Sequence, residues 1–247
     1  MTGEFITLLL VGAAAGGFIN GLAGFGTALF TLGFWLQILP AVEAVALILT
    51  MSVATGLQGL WVVRQEILTR PGRIGRFLIP AIFGVPLGIH ILSFIDTDIL
   101  RLIVAGFMIS YGGFFAFRSA LPTLTAPPKI LDSLIGFLGG ILGGIAGLSG
   151  ALPTFWCSLR PWPKRETRAV LQPFNVVILF LAVLFLAARG VYTTQVLTWF
   201  LMALPVGLAF AYFGLQIFKR LETDSFRRLL IILMLVSGCM LLARTLI

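Results

Sequence analysis

Apolar residues run in long blocks along this chain, at roughly 5–20, 26–39, 42–63, 74–95, 98–117, 130–147, 153–159, 167–188, 195–217 and 226–246. Most blocks approach the 20 or so residues that a helix needs to cross a bilayer core. The breaks between them collect proline, glycine and charge, as in "RQEILTRPGR", "RSALPTLTAPPK", "SLRPWPKRE" and "KRLETD". A membrane barrel would show alternating segments of about ten residues, and that pattern is absent. The pattern predicts an all-α polytopic membrane protein.

Two breaks are unlike the rest. "GFINGLAGFGTALFT", Gly17 to Thr31, is glycine-rich and separates two apolar runs that are each short for a bilayer crossing. "GGIAGLSGALPTFWC", Gly143 to Cys157, resembles it. At an offset of 126, Gly17, Ile19, Gly21, Leu22 and Gly24 match Gly143, Ile145, Gly147, Leu148 and Gly150. The same offset matches Thr97, Asp98, Arg101, Gly112 and Arg118 to Thr223, Asp224, Arg227, Gly238 and Arg244, while Pro40 and Glu43 match Pro163 and Glu166 at 123. The chain therefore reads as two homologous repeats, 1–122 and 130–247, joined by a linker at 123–129.

Charge orients the repeats. If each glycine-rich break is a re-entrant hairpin followed by three transmembrane helices, each repeat crosses an odd number of times, and the second is inverted. With loop 64–76 in the cytoplasm, 14 of the 17 Lys and Arg residues lie inside, leaving Arg101, Arg189 and Arg244 outside. Two short full spans per break give the same parity, but segment 153–159 is too short to span. Trp35, Trp61, Trp162 and Trp199 fall near the predicted boundaries and read as interface anchors.

Composition narrows the function. The chain is 59% hydrophobic and 11% charged, with mean hydropathy +1.08, so the net charge of +8 reads as membrane orientation and not as a nucleic-acid surface. One histidine and two separated cysteines, Cys157 and Cys239, support neither a metal site nor a disulfide framework, and no cofactor is expected. No intramembrane His or Lys accompanies Ser149 as a base, so an intramembrane enzyme is disfavoured.

What remains is transport. Matched broken helices in inverted repeats mark secondary transporters, with substrate near the midplane. The return limbs are expected to begin near Gly26–Thr27 and near Pro153–Thr154, with their N–H groups and positive dipole ends facing one anion. Gly24, Gly26 and Gly150 would shape that site. Thr27, Ser149 and Thr154 would add hydroxyls, and Asn20 an amide. Gln172 and Asn175, one turn apart beside Pro173, either line the pathway or join helices. The stripes Gly136, Gly140, Gly144 and Gly139, Gly143, Gly147 read as close-packing faces. Arg168, at the start of the same span, reads first as an orienting charge and second as an attractor of anions.

The duplicated glycine-rich break and "RAVLQPFN" after the second one resemble the sulfite exporter TauE/SafE family, over nearly the whole chain. The resemblance implies a bacterial-type, multi-pass inner-membrane transporter of sulfur-containing anions such as sulfite, sulfoacetate or other organosulfonates. It maps the family pattern onto Gly21–Thr27, Gly147–Thr154, Gln172 and Asn175. Ala146 stands where the first repeat has Asn20, so the two hairpins are unequal donors. The expected partners are the anion and membrane lipid, with no nucleic acid; a homo-oligomer is left open. The spans carry no deep carboxylate, so export driven by the membrane potential is favoured over coupled uptake. The alternatives are a permease for another small solute or ion, and a non-transporting membrane scaffold or assembly protein.

Overall fold

A computed structural model describes residues 3–116 and 129–222, with isolated positions 232, 235, 238, 239, 242 and 243. The linker, apart from Lys129, and most of the last apolar block at 226–246 lie outside the described residues, as do Thr223, Asp224, Arg227 and Arg244 of the repeat pattern. Every regular element among the described residues is a helix: α1 (Gly3–Ala23), α2 (Thr27–Trp35), α3 (Ala41–Val62), α4 (Arg64–Thr69), α5 (Pro71–Leu92), α6 (Thr97–Ala116), α7 (Lys129–Ala146), α8 (Ala151–Ser158), α9 (Lys164–Ala188) and α10 (Thr194–Arg220). Six of these, α1, α3, α5, α7, α9 and α10, are long and apolar enough to cross a membrane. Phe83, Leu201 and Phe213 point outward and are exposed, as expected of a surface that meets lipid.

Local chemistry sets the boundaries. Pro40 and Pro163 stand just before α3 and α9 in the same extended conformation, with Glu43 and Glu166 in the first turns, where the helix dipole favours an acid. Pro71 opens α5 at a position whose N–H would be unpaired anyway. Thr193 caps α10, accepting from the Val196 N–H at 3.3 Å.

Each hairpin is a long helix followed by a short return, not two short limbs. α1 has 21 residues and α2 only nine; α7 has 18 and α8 eight. At 1.5 Å per residue the returns cover about 12–14 Å, less than half of a bilayer core. α2 folds back along α1: the Thr31 hydroxyl donates to the Gly12 carbonyl at 3.1 Å and the Trp35 indole to the Leu9 carbonyl at 3.1 Å. Trp35 is therefore fully buried, which corrects its reading as an interface anchor. Trp199 is also buried, against Phe5, whereas Trp61 is exposed beneath the Arg64 guanidinium. α8 folds back along α7, where the Trp156 indole donates to Asp132 at 2.7 Å.

The hairpins exchange partners. α1 packs on α10 through Gly17 against the Gly207 backbone, Gly21 against Ala211, and Gly214 against Phe18. α7 packs on α5 through Gly136 against Phe77, Gly140 against Ala81, and Gly144 against Val85 and Gly88. At these positions any Cβ would overlap the facing backbone, so glycine sets the helix separation. The Gly136, Gly140, Gly144 stripe is the packing face expected. Gly139 and Gly143 instead face Ser149 of their own hairpin.

Conformation also corrects the offset between the breaks. Gly24 (φ 82°) and Gly147 (φ 69°) each follow the last residue of a long helix and turn the chain left-handed. They are 123 apart, the offset of Pro40 and Pro163, so 126 does not hold across the hairpins. It does hold for Gly88 and Gly214, which occupy the two exchanged packing faces.

Ion pairs gather one end of the molecule. Glu166 of α9 reaches Arg70 and Arg73 before and in α5, Glu66 reaches Arg165, and Asp132 of α7 pairs with Arg160. The segment 63–71, which includes α4, and the loop 159–164 thus lie together. Arg189 sits apart, donating to Ser93 and to the Ile89 carbonyl beyond and within the end of α5.

Candidate functional site

The two breaks meet. The Phe25 side chain, between Gly24 and Gly26, lies over Gly150, where an added Cβ would come within 2.6 Å of it. Gly147 faces Ala28 of α2 together with Ile48 and Leu49 of α3. The starts of α2 and α8 are therefore neighbours, one from each half of the chain. Neither N-cap, Gly26 or Gly150, supplies a side-chain bond to the first turn.

The two starts are unequal. α2 begins at Thr27 after left-handed Gly26 (φ 91°), and its first-turn N–H groups have no capping side chain. α8 begins at Ala151, two residues ahead of the expected Pro153, which sits inside its first turn. Ala151 N–H donates to the Leu148 carbonyl at 3.1 Å and Thr154 N–H to the Gly150 carbonyl at 2.9 Å. Pro153 has no N–H to offer. The second break thus offers fewer backbone donors than two open helix ends would.

The amides are engaged within the protein. Asn20 donates to the Ser52 carbonyl at 3.1 Å and to the Thr55 hydroxyl at 2.6 Å. Gln172 donates to the Gly56 carbonyl at 3.0 Å and accepts from Arg168 at 3.3 Å. The Ser149 hydroxyl donates to the Asn175 side-chain oxygen. These contacts join α1 to α3, α3 to α9, and the second break to α9, which is the joining role that Gln172 and Asn175 share.

Left over are hydroxyls. Among the described residues, the side-chain oxygens of Thr27, Ser52 and Thr154 are buried without a hydrogen-bond partner, as is the Asn20 oxygen. A buried hydroxyl lacking a partner is costly, and each can donate one O–H. Thr27 and Thr154 stand in the first turns of the two return helices, α2 and α8. Thr27 turns its methyl toward Gly16 of α1, so its side chain packs within its own hairpin.

Arg168 is the residue whose place the pattern of charges obscured. It is 3% exposed, donating to the Gly21 carbonyl at 2.9 Å and the Leu22 carbonyl at 3.4 Å in the last turn of α1. Its guanidinium also lies 4.3 Å from the Phe218 ring centre. It is a buried cation of α9, packed on the end of α1. The signal available in the sequence was its spacing of four from Gln172, which puts both on one helix face. Gly24 and Gly59 make room for this pair, since a Cβ on either would overlap Gln172. Asp132, buried and paired with Arg160, likewise escaped notice in the sequence.

A model of the family described as "Sulfite exporter TauE/SafE" matches residues 8–241, nearly the whole chain. No curated protein and no solved structure gives a match.

Proposed function

Since the chain belongs to the sulfite exporter TauE/SafE family, a family of membrane transporters, we propose that it carries sulfur-containing anions (sulfite, sulfoacetate or related organosulfonates) across the inner membrane, by alternating access at the meeting point of the two breaks. The observation that carries this reading is the adjacency of two return-helix starts, each with a buried first-turn threonine hydroxyl that has no partner among the described residues. Helix starts and neutral hydroxyls suit an anion that must both bind and leave. Binding by Gly24, Gly26, Thr27, Ser149, Gly150 and Thr154, with Asn20, Gln172 and Asn175 as the supporting frame, is the division of labour we assign.

The reciprocal packing of α1 on α10 and α7 on α5 supports two inverted repeats, because a two-fold relation in the membrane plane generates that exchange. The basic end faces the cytoplasm in this reading. A monovalent anion leaving an inside-negative cell gains about 2.3 kcal/mol per 100 mV, so export needs no coupled ion.

The test is flux in proteoliposomes with an imposed potential, using sulfite, sulfoacetate and taurine. Transport of a sulfur oxyanion is expected. Replacing both Thr27 and Thr154 by Val should raise KM by roughly 10-fold or more, since a hydrogen bond to a charged group contributes about 1.5–3 kcal/mol, with the melting temperature retained. Absence of flux for every sulfur oxyanion overturns the function; an unchanged KM in the double variant overturns the site.

A further inference from the structure

A shallow open cleft lies at the basic end of the molecule, walled by Glu66, Thr69, Arg70, Arg73, Glu166 and Val170 among others. Both arginines converge on one oxygen: Arg73 reaches Oε2 of Glu166 at 2.7 Å and Arg70 reaches the same atom at 3.1 Å. Two guanidinium charges thus face one carboxylate. The side chains are 52%, 26% and 30% exposed for Arg70, Arg73 and Glu166, so a solute can reach them and the pairs are weak. Arg73 has a second contact, its guanidinium lying 4.6 Å from the Trp162 ring centre. Glu166 sits in the first turn of α9, two residues before buried Arg168, so the cleft opens at the start of the helix that carries Arg168 and Gln172.

A carboxylate and a sulfonate or sulfite show a guanidinium the same feature, an anionic oxygen that accepts N–H donors. We infer that Arg70 and Arg73 form an entry site for the transported anion and that Glu166 is its built-in competitor, occupying both arginines until a sulfur oxyanion displaces it. The inference rests on the anion reading above but concerns a different place on the chain. It makes Glu166 a determinant of affinity at the cleft, and it gives the two arginines a task beyond orientation.

The experiment uses the full-length protein in lipid nanodiscs with Cys157→Ser, Cys239→Ser and the reporter Thr69→Cys. It reads the rate of thiol modification by an anionic sulfonatoethyl methanethiosulfonate, with sulfoacetate as competitor at constant ionic strength. Sulfoacetate should slow modification, and Glu166→Gln should tighten that protection roughly tenfold, as expected when a charged competitor is removed. Glu66→Gln makes the same charge change in the same cleft but leaves Glu166 on Arg70 and Arg73; it should alter protection by less than about twofold. Arg73→Gln should abolish protection and keeps the question answerable if Glu166→Gln does not fold. Equal tightening in the two glutamate variants, or no protection in any variant that retains Arg73, overturns the inference. Because labelling is read without flux, protection in a protein that transports nothing would sink the transport reading and leave this site standing.

Discussion

Gly24→Ala tests whether the first break is held by conformation alone or by a network behind it. Gly24 has φ 82°, a region that costs an L residue roughly 1–2 kcal/mol. The new Cβ would also lie 2.6 Å from Oε1 of Gln172, which must retreat about 0.8 Å to reach ordinary contact at 3.4 Å. Gln172 has nowhere to go, because its other side already abuts Gly59. Its amide is pinned by the Gly56 carbonyl at 3.0 Å and by Arg168 at 3.3 Å. Losing one or both bonds adds about 1–3 kcal/mol. Gly190→Ala is the control: φ is 73°, and no described residue lies within 4 Å of an added Cβ, so it carries the backbone cost alone.

Thermal melting in detergent, read by tryptophan fluorescence, compares the two. A chain of this size moves about 2–4 °C per kcal/mol, so Gly24→Ala should melt roughly 2–12 °C below Gly190→Ala. Adding Gln172→Ala to Gly24→Ala should recover more than about 1 kcal/mol of the loss as coupling. Equal melting of the two single variants, or strict additivity in the double variant, would refute the packed network behind the break.

Two further outcomes follow. Gly140→Ala, whose Cβ would overlap the Ala81 backbone, should destabilise by about 1–3 kcal/mol as α7 is pushed off α5, whereas Gly33→Ala, with no described residue within 4 Å, should be neutral or stabilising; the same melting assay reads both. Burial pushes the Tyr192 phenol up to about 12, the Thr50 hydroxyl acting weakly the other way, so the unfolded chain loses its proton first, from about pH 10. Stability should therefore be full below pH 10 and fall as pH rises towards 12, and Tyr192→Phe should flatten that limb of the melting-temperature profile.

The spans were legible because hydropathy acts on every residue of a membrane helix, and the breaks because glycine concentrates where backbone turns left-handed. Other features depend on what faces a residue, which no linear pattern records. The offset of 126 across the breaks came from residue identity in glycine-rich chain, where chance matches are common; the φ values of Gly24 and Gly147 identify the corresponding turns. Trp35 sits where an interface anchor is expected, yet its indole finds the Leu9 carbonyl because α2 folds back on α1. α8 starts at Ala151 because the chain after Gly147 is already turned by the Leu148 N–H bonding to the Leu142 carbonyl, leaving Pro153 to fall within the first turn. Arg168 reads as an orienting charge because it follows a basic loop; its burial comes from tertiary packing against Phe218 and the α1 carbonyls.

The place of Arg168 explains an asymmetry that glycine content alone does not. Breaking a helix hairpin at depth sets the negative carbonyl end of one limb beside the positive N–H end of the other, and the two fields oppose each other. At the first break, Arg168 takes the Gly21 and Leu22 carbonyls, so the α1 end is neutralised and the α2 end dominates. At both breaks the turning glycine donates back four residues, Gly24 to the Asn20 carbonyl and Gly147 to the Gly143 carbonyl; at the second, Leu148 also donates to the Leu142 carbonyl and Ala151 to the Leu148 carbonyl. An anion between the breaks would then be drawn chiefly toward α2, with α8 supplying the Thr154 hydroxyl and little backbone. If the proposed anion site is right, the two hairpins share a shape and divide the task unequally, and the cation on α9 would make the first one the more attractive to negative charge.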